Sequence, residues 1–256
     1  LLYSAITHYL GWKHHCDEGI IMGLACYGDP DAIIPDIDRS YLDVFREIIV
    51  DLGSLDYRIN LNWIAFHEVR DKWVSDQFTS VFGDKRNSKD PLTQHHKNIA
   101  AALQRRLEEV VLLQLGRAKE LYRTSHLCLS GGVALNCSMN GKIEQSNLFD
   151  EIFVQPASGD AGVAAGACYV AHKTQDPDLR PEKMHNFYLG SSFDDQDIFL
   201  DFSKVGLRPK KSADLSRIIA EKLHAGEIIG WFQGGAEFGP RALGNRSILT
   251  RPFPAD

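Results

Sequence analysis

Between Thr93 and Arg123 apolar residues return every three or four positions: Ile99, Leu103, Leu107, Val110, Val111, Leu115, Ala118 and Leu121. That period marks one face of an α-helix. Asp90 or Thr93 is placed to cap it. The intervening Gln104, Arg105, Glu108 and Glu109 predict a solvated face. Closer to the start, Ile6, Tyr9 and Leu10 predict a helix stopped by Gly11. A second runs from Glu18 to Ala25 and closes on the turn signal Tyr27-Gly28-Asp29-Pro30. Tyr41, Val44, Phe45, Ile48 and Ile49 predict a third. Leu52 to Asn62 alternates loosely, as a hairpin or edge strand does, and Trp63 to Phe82 has a helical pattern. Gly83 to Pro91 reads as a charged surface loop.

The period changes after Ser125. Leu127-Cys128-Leu129 and Ile152-Phe153-Val154 are short apolar runs closed by glycine turns, and a helical segment follows each. Such runs predict buried parallel strands in a repeated βα unit. Thr174 to Glu182 is polar, contains Pro177 and Pro181, and reads as a linker. Beyond it the pattern predicts helices over Asp194–Val205 and Leu215–Leu223 and a strand over Ile228–Phe232. The class is α/β, in two parts.

Composition narrows this modestly. The chain has 256 residues, 44% hydrophobic and 24% charged, enough for a sizeable core in one large domain or two ordinary ones. A formal charge of −6 gives no support for a nucleic-acid surface. No apolar run is long enough for a membrane span. The five cysteines are odd in number and form no CxxC pair, which predicts reduced, mostly buried thiols and a cytoplasmic protein. His14-His15 and His95-His96 lack ligand-spaced partners and are read as polar surface residues.

Two glycine loops and one arginine loop carry the candidate chemistry. In Ser130-Gly131-Gly132-Val133-Ala134-Leu135-Asn136 the glycines admit close backbone approach, and a helix starting near Val133 would offer its N-terminus to a phosphate. In Ser158-Gly159-Asp160-Ala161-Gly162, Asp160 stands between strand and helix, and small residues let that helix lie close to its neighbours. Either loop alone suits a plain turn, but together they predict one nucleotide or phosphate pocket. The third loop, residues 233–249, carries Glu237, Arg241, Asn245 and Arg246 among four glycines. Its arginines match phosphate or carboxylate oxygens. The plain alternative pairs them with Glu237 or Asp256. Arg241 is expected in a pocket separate from the glycine loops.

Four stretches carry a resemblance: EGIIMGLACYG (18–28), QRRLEEVVL (104–112), LCLSGGVALNCSMNGKI (127–143) with VQPASGDAGVAAGA (154–167), and GWFQGGAEFGPRALGNRSIL (230–249). Together they resemble the O-carbamoyltransferases of the nodulation and antibiotic-tailoring type, over nearly the whole chain. The resemblance implies that residues 1–173 form the second lobe of an actin- and sugar-kinase-like (RNase H-like) domain, 174–185 a linker, and 186–256 the start of a YrdC-like α/β domain. It implies that ATP and carbamoyl phosphate yield a carbamoyl-adenylate, whose carbamoyl group passes to a hydroxylated small molecule. It assigns Arg241, Arg246 and Glu237 to catalysis and Gly131, Gly132, Val133, Asn136, Gly159 and Gly162 to the nucleotide. Asp160 becomes a ligand of a divalent metal, iron (Fe2+), whose histidine ligands lie outside this chain. No nucleic-acid or membrane partner is expected, and a homodimer is the assembly considered.

The chain departs from that pattern in places. The family's Glu-Tyr-Lys-Val-Met-Gly is here Glu18-Gly19-Ile20-Ile21-Met22-Gly23, without the lysine, and Gly235 stands where the family often has arginine. The resemblance also implies that half of the acceptor domain and much of the YrdC-like domain are missing from this chain, so the polypeptide alone is expected not to be a competent enzyme. A threonylcarbamoyl or hydrogenase-maturation relative and a non-catalytic nucleotide-binding remnant are the competing readings.

Overall fold

The structure is a computed structural model, and it describes residues 1–180 and 184–252. Pro181 and Glu182 of the expected linker, and Asp256, lie outside the described residues. The chain divides into two units, residues 1–128 with 136–153, and residues 129–135 with 154–256. The class is α/β, with three two-stranded sheets among the described residues.

The first unit holds the hydrophobic core. α1 (Leu2–Tyr9) buries Leu2, Ala5, Ile6 and Tyr9, and the chain leaves it through Gly11. α2 (Glu18–Leu24) runs into a 3-10 turn, Ala25–Tyr27. α3 (Tyr41–Ile48) is capped by Ser40, whose hydroxyl accepts the Asp43 N–H at 3.1 Å. β1 (Ile49–Asp51) and β2 (Tyr57–Ile59) form an antiparallel hairpin with Ile49 opposite Ile59. The helical pattern of Trp63–Phe82 is realised only in α4 (Asp76–Phe82). Over residues 63–75 the backbone instead closes on itself, Ala65 N–H to the Trp73 carbonyl and Ser75 N–H to the Trp63 carbonyl. This irregular loop still buries Trp63, Ile64 and Val74, so periodicity alone does not separate it from a helix.

α5 (Gln94–Tyr122) is the axis of this unit. Its 29 residues span roughly 43 Å at 1.5 Å per residue. Ile99, Ala100, Ala102, Leu103 and Val110 are buried, all in its first two thirds. Thr93 caps it together with His96, whose Nδ1 accepts the Thr93 N–H at 3.1 Å. His95 is no free surface group: its Nδ1 lies 2.6 Å from the Tyr41 hydroxyl and its Nε2 2.8 Å from the Phe82 carbonyl. Nor is the 83–91 loop all surface. Arg86 is buried, donates to the Leu10 carbonyl at 2.9 Å and to the Asp90 carbonyl at 2.6 Å, and stacks over Trp12.

β3 (His126–Leu129) pairs with β4 (Glu151–Val154), and α6 (Cys137–Gln145) lies between them in sequence. Both strands alternate exposed and half-buried residues. The expected fully buried strands are thus corrected to half-exposed ones, because each is covered along one face only. Cys128 falls on the exposed side, and all five cysteines are exposed and free, against the expected burial.

The second unit contains α7 (Val163–Gln175), α8 (Asp195–Lys204), α9 (Leu215–His224) and an antiparallel hairpin. Its strands are β5 (Ile229–Phe232) and β6 (Arg246–Leu249), with Phe232 opposite Arg246. Asp194 caps α8 by accepting the Gln196 and Asp197 N–H groups, both at 2.8 Å. α7, α8 and α9 bury no residue. The close packing expected of the small residues on α7 is therefore absent, and Val163 and Val170 are each 68% exposed. Among the described residues, what this unit buries is loop: Ala134, Ala157, Ser158, Glu237 and Asn245. No helix among the described residues is long and apolar enough to cross a membrane.

Candidate functional site

The two glycine loops are neighbours. Gly131 donates its N–H to the Ser158 carbonyl at 2.7 Å, and a Cβ on Gly159 would sit 3.9 Å from the Gly132 Cα. Gly162 must be glycine, since a Cβ there would lie 2.1 Å from the Ala157 carbonyl oxygen. The loops meet through backbone, and the Gly131 N–H is already satisfied there.

The helix after the first loop begins later than expected. Gly132–Leu135 is a 3-10 turn, with Gly132 and Val133 exposed, and α6 starts only at Cys137. Asn136 is its cap, accepting the Met139 N–H at 3.0 Å. Its Nδ2 donates to Gln104 Oε1 at 2.8 Å, and Gln104 Nε2 donates back to Asn136 Oδ1 at 3.1 Å. Both ends of the Asn136 amide are thus spent inside the first unit. Gln104 also receives the Tyr3 hydroxyl at 3.0 Å and donates to Glu108 at 2.8 Å. Gln104 and Glu108, expected on a solvated face, are 5% and 8% exposed. Their positions carried a signal: Gln104 follows Ala100 and Ala101 by four and three residues, on the stripe that faces the core.

The arginine loop joins β5 to β6 and docks on the glycine loops of the same unit. Arg241 Nε and Nη2 both donate to the Leu135 carbonyl, at 3.0 and 2.8 Å. Gly239 sits at φ +126°, and a Cβ there would lie 2.4 Å from the Pro156 carbonyl oxygen, so only glycine allows this approach. Arg241 therefore does not occupy the separate pocket expected of it; its guanidinium lies on the backbone of the first glycine loop. Arg246 stays with its own hairpin. Its Nη2 donates to the Gly239 carbonyl at 3.0 Å, and its Nε lies 3.5 Å from Glu237 Oε2. It borders a groove of about 500 Å³ walled by Trp231, Pro240 and Ala242.

Glu237 is the buried acid of this loop, its side chain 0% exposed. One oxygen accepts three backbone N–H groups, from Leu243 at 2.6 Å, Asn245 at 2.8 Å and Arg246 at 3.2 Å. Burial opposes its ionisation, but the backbone donors outweigh burial and hold its pKa down to about 2. Pairing of Arg246 with Glu237, the plain alternative weighed from the sequence, is present in the structure.

The metal expectation finds little in these residues. Asp160 is exposed at the start of the turn Asp160–Gly162. Among the described residues no group of three or more His, Cys, Asp or Glu is arranged to hold a metal ion. The histidines gather elsewhere. The His14 ring lies 4.2 Å from Trp73, 5.5 Å from His8 and 4.9 Å from His15, and Lys85 Nζ lies 2.7 Å from His8 Nε2. Burial, then Lys85 and His14, lower the His8 pKa. No periodicity connects these positions.

Comparison with known proteins adds a separate line. Residues 1–169 match the family model "Carbamoyltransferase N-terminus" and residues 220–256 match "Carbamoyltransferase C-terminus". Nodulation protein NolO of Bradyrhizobium diazoefficiens is 37% identical over 259 residues, covering 100% of this chain and 44% of that protein. The 3'-hydroxymethylcephem-O-carbamoyltransferase of Streptomyces clavuligerus is 38% identical over 238 residues, covering 93% of this chain and 39% of that enzyme. A protein of Synechocystis is 37% identical, with 98% of this chain and 41% of that protein covered. The chain spans less than half the length of these relatives.

Proposed function

This chain belongs to the carbamoyltransferase family, and we propose that it is part of an enzyme that carbamoylates a hydroxyl of a small natural product. Residues 1–173 belong to the acceptor-side, kinase-like lobe and residues 186–256 to the start of a YrdC-like domain. Carbamoyl phosphate, ATP and one water give a carbamoyl-adenylate, with inorganic phosphate and pyrophosphate as the leaving groups. The acceptor oxygen then attacks the carbamoyl carbon, the bond to the adenylate oxygen breaks, AMP leaves, and the hydroxyl proton is released. The observation that best supports this is the pair of family matches, the second of which contains the arginine loop with its two guanidinium groups five residues apart. Planar cations suit a carbamoyl phosphate, whose oxygens are already charged and gain charge as inorganic phosphate is released. That the cephem enzyme carbamoylates a hydroxymethyl group supports the acceptor class.

The described residues do not by themselves form a metal site, so no step is assigned to one. Asn136 and the Gly131 N–H are used internally; Arg241 and Arg246 also donate to backbone carbonyls, but as permanent cations they are the residues on which the anion chemistry rests. The test is carbamoyl transfer by the full-length protein from carbamoyl phosphate and ATP to a panel of hydroxylated acceptors. Arg241→Met and Arg246→Met should each raise the KM for carbamoyl phosphate at least tenfold. Full transfer by both variants would sink the proposal.

A further inference from the structure

We propose that Glu237 is a positioning residue that presets the arginine loop for an oxyanion, and that it takes no part in the chemistry. This rests on the carbamoyltransferase reading for the identity of the anion, though not for the geometry. Thirteen residues, 233–245, connect two four-residue strands, a long insertion for so short a hairpin. Something must fix them, and the loop holds one buried carboxylate. Its Oε1 gathers the N–H groups of Leu243, Asn245 and Arg246, which draws the chain after Arg241 back onto the chain before it. The Asn245 amide closes the same ring from the other side, donating to the Gly235 carbonyl at 2.8 Å.

The second carboxylate oxygen is buried, accepts no hydrogen bond, and faces Arg246 Nε at 3.5 Å. It holds that guanidinium by charge while leaving Nη2 on the Gly239 carbonyl. Arg241, at the apex, is left to reach outward to the Leu135 carbonyl. A catalytic acid or base must touch the reacting atoms. Neither oxygen of a fully covered side chain can do so. Its low pKa also leaves it no proton to give near neutrality.

Glu237→Gln and Glu237→Ala in the full-length protein separate the roles. The glutamine carbonyl can accept the same three N–H groups; alanine accepts none. Hydrogen exchange at residues 243–246 should quicken more than tenfold in E237A and stay within threefold of wild type in E237Q. Affinity for inorganic phosphate, by calorimetry, and the KM for carbamoyl phosphate should weaken more than tenfold in E237A. In E237Q they should weaken threefold to tenfold, from the lost charge beside Arg246, with kcat within threefold. If E237A fails to fold, E237Q decides alone. A hundredfold fall in kcat for E237Q at unchanged KM would make Glu237 a chemical group and overturn the proposal, as would unchanged exchange in E237A. If wild type binds phosphate and the loop behaves as stated, but no carbamoyl group is transferred, the functional reading falls and the positioning role stands.

Discussion

Asn136 offers the sharpest choice between a ligand contact and a structural role. Asn136→Ser keeps an oxygen for the Met139 N–H and removes the amide facing Gln104. Two buried hydrogen bonds disappear, of 2.8 and 3.1 Å. Gln104 keeps Tyr3 and Glu108, so its loss is partial, and ~1–3 kcal/mol of destabilisation follows for imperfectly satisfied buried groups. Asn136→Ala also removes the cap, worth ~1 kcal/mol more. Gln104→Leu takes the partner from the Asn136 amide and should cost a similar ~1–3 kcal/mol. Because the two residues share their bonds, the double variant Gln104→Leu/Asn136→Ser should fall short of the sum by ~1 kcal/mol or more. Urea unfolding followed by the fluorescence of Trp12, Trp63 and Trp73, all in the first unit, measures this in a Trp231→Phe background. Stability of Asn136→Ser within ~0.5 kcal/mol of wild type, with additive effects of the two substitutions, would refute the structural role.

Two further outcomes follow from the arginine loop. Gly239→Ala should undock it from Pro156, because φ +126° and a 2.4 Å clash act together; a strain of ~1–3 kcal/mol is expected, seen as faster hydrogen exchange over 237–246 with the first unit unchanged. Glu237 has its folded pKa depressed from 4.5 to about 2, so the stability it lends is complete above its unfolded value and is lost as pH falls through its folded one. Trp231 fluorescence should hold at pH above ~4.5 and change as acid approaches pH ~2, while E237Q shows no such step; a wild-type transition near neutrality would contradict this.

The helices of the first unit were legible because burial on one side imposes a period, as Ile99, Leu103 and Val110 show on α5. The start of α8 near Asp194 was equally readable, and the cap found there acts within three residues. Residues 63–75 were not, because an irregular loop closed by its own backbone also buries Trp63, Ile64 and Val74. Gln104 was missed because its polarity was weighed above its place on the stripe. The glycine loops announced close backbone approach, but their partner was each other's backbone, which no spacing reveals. The arginine loop showed its charge; that Glu237 lies beneath it depends on a fold-back over six to nine residues.

α5 is held by two different kinds of force along its length. Its first two thirds lie in the apolar core. Its far end is tied to the β1–β2 turn by polar fasteners: Arg117 grips both Asp51 oxygens and the Ser54 carbonyl, and Gln114 holds the Leu55 carbonyl at 2.6 Å. Salt weakens the ionic fasteners and hardly touches the core, while cooling weakens the core. The two ends of one rigid rod thus answer to different solvents, and the hairpin at its tip can loosen while the root stays seated.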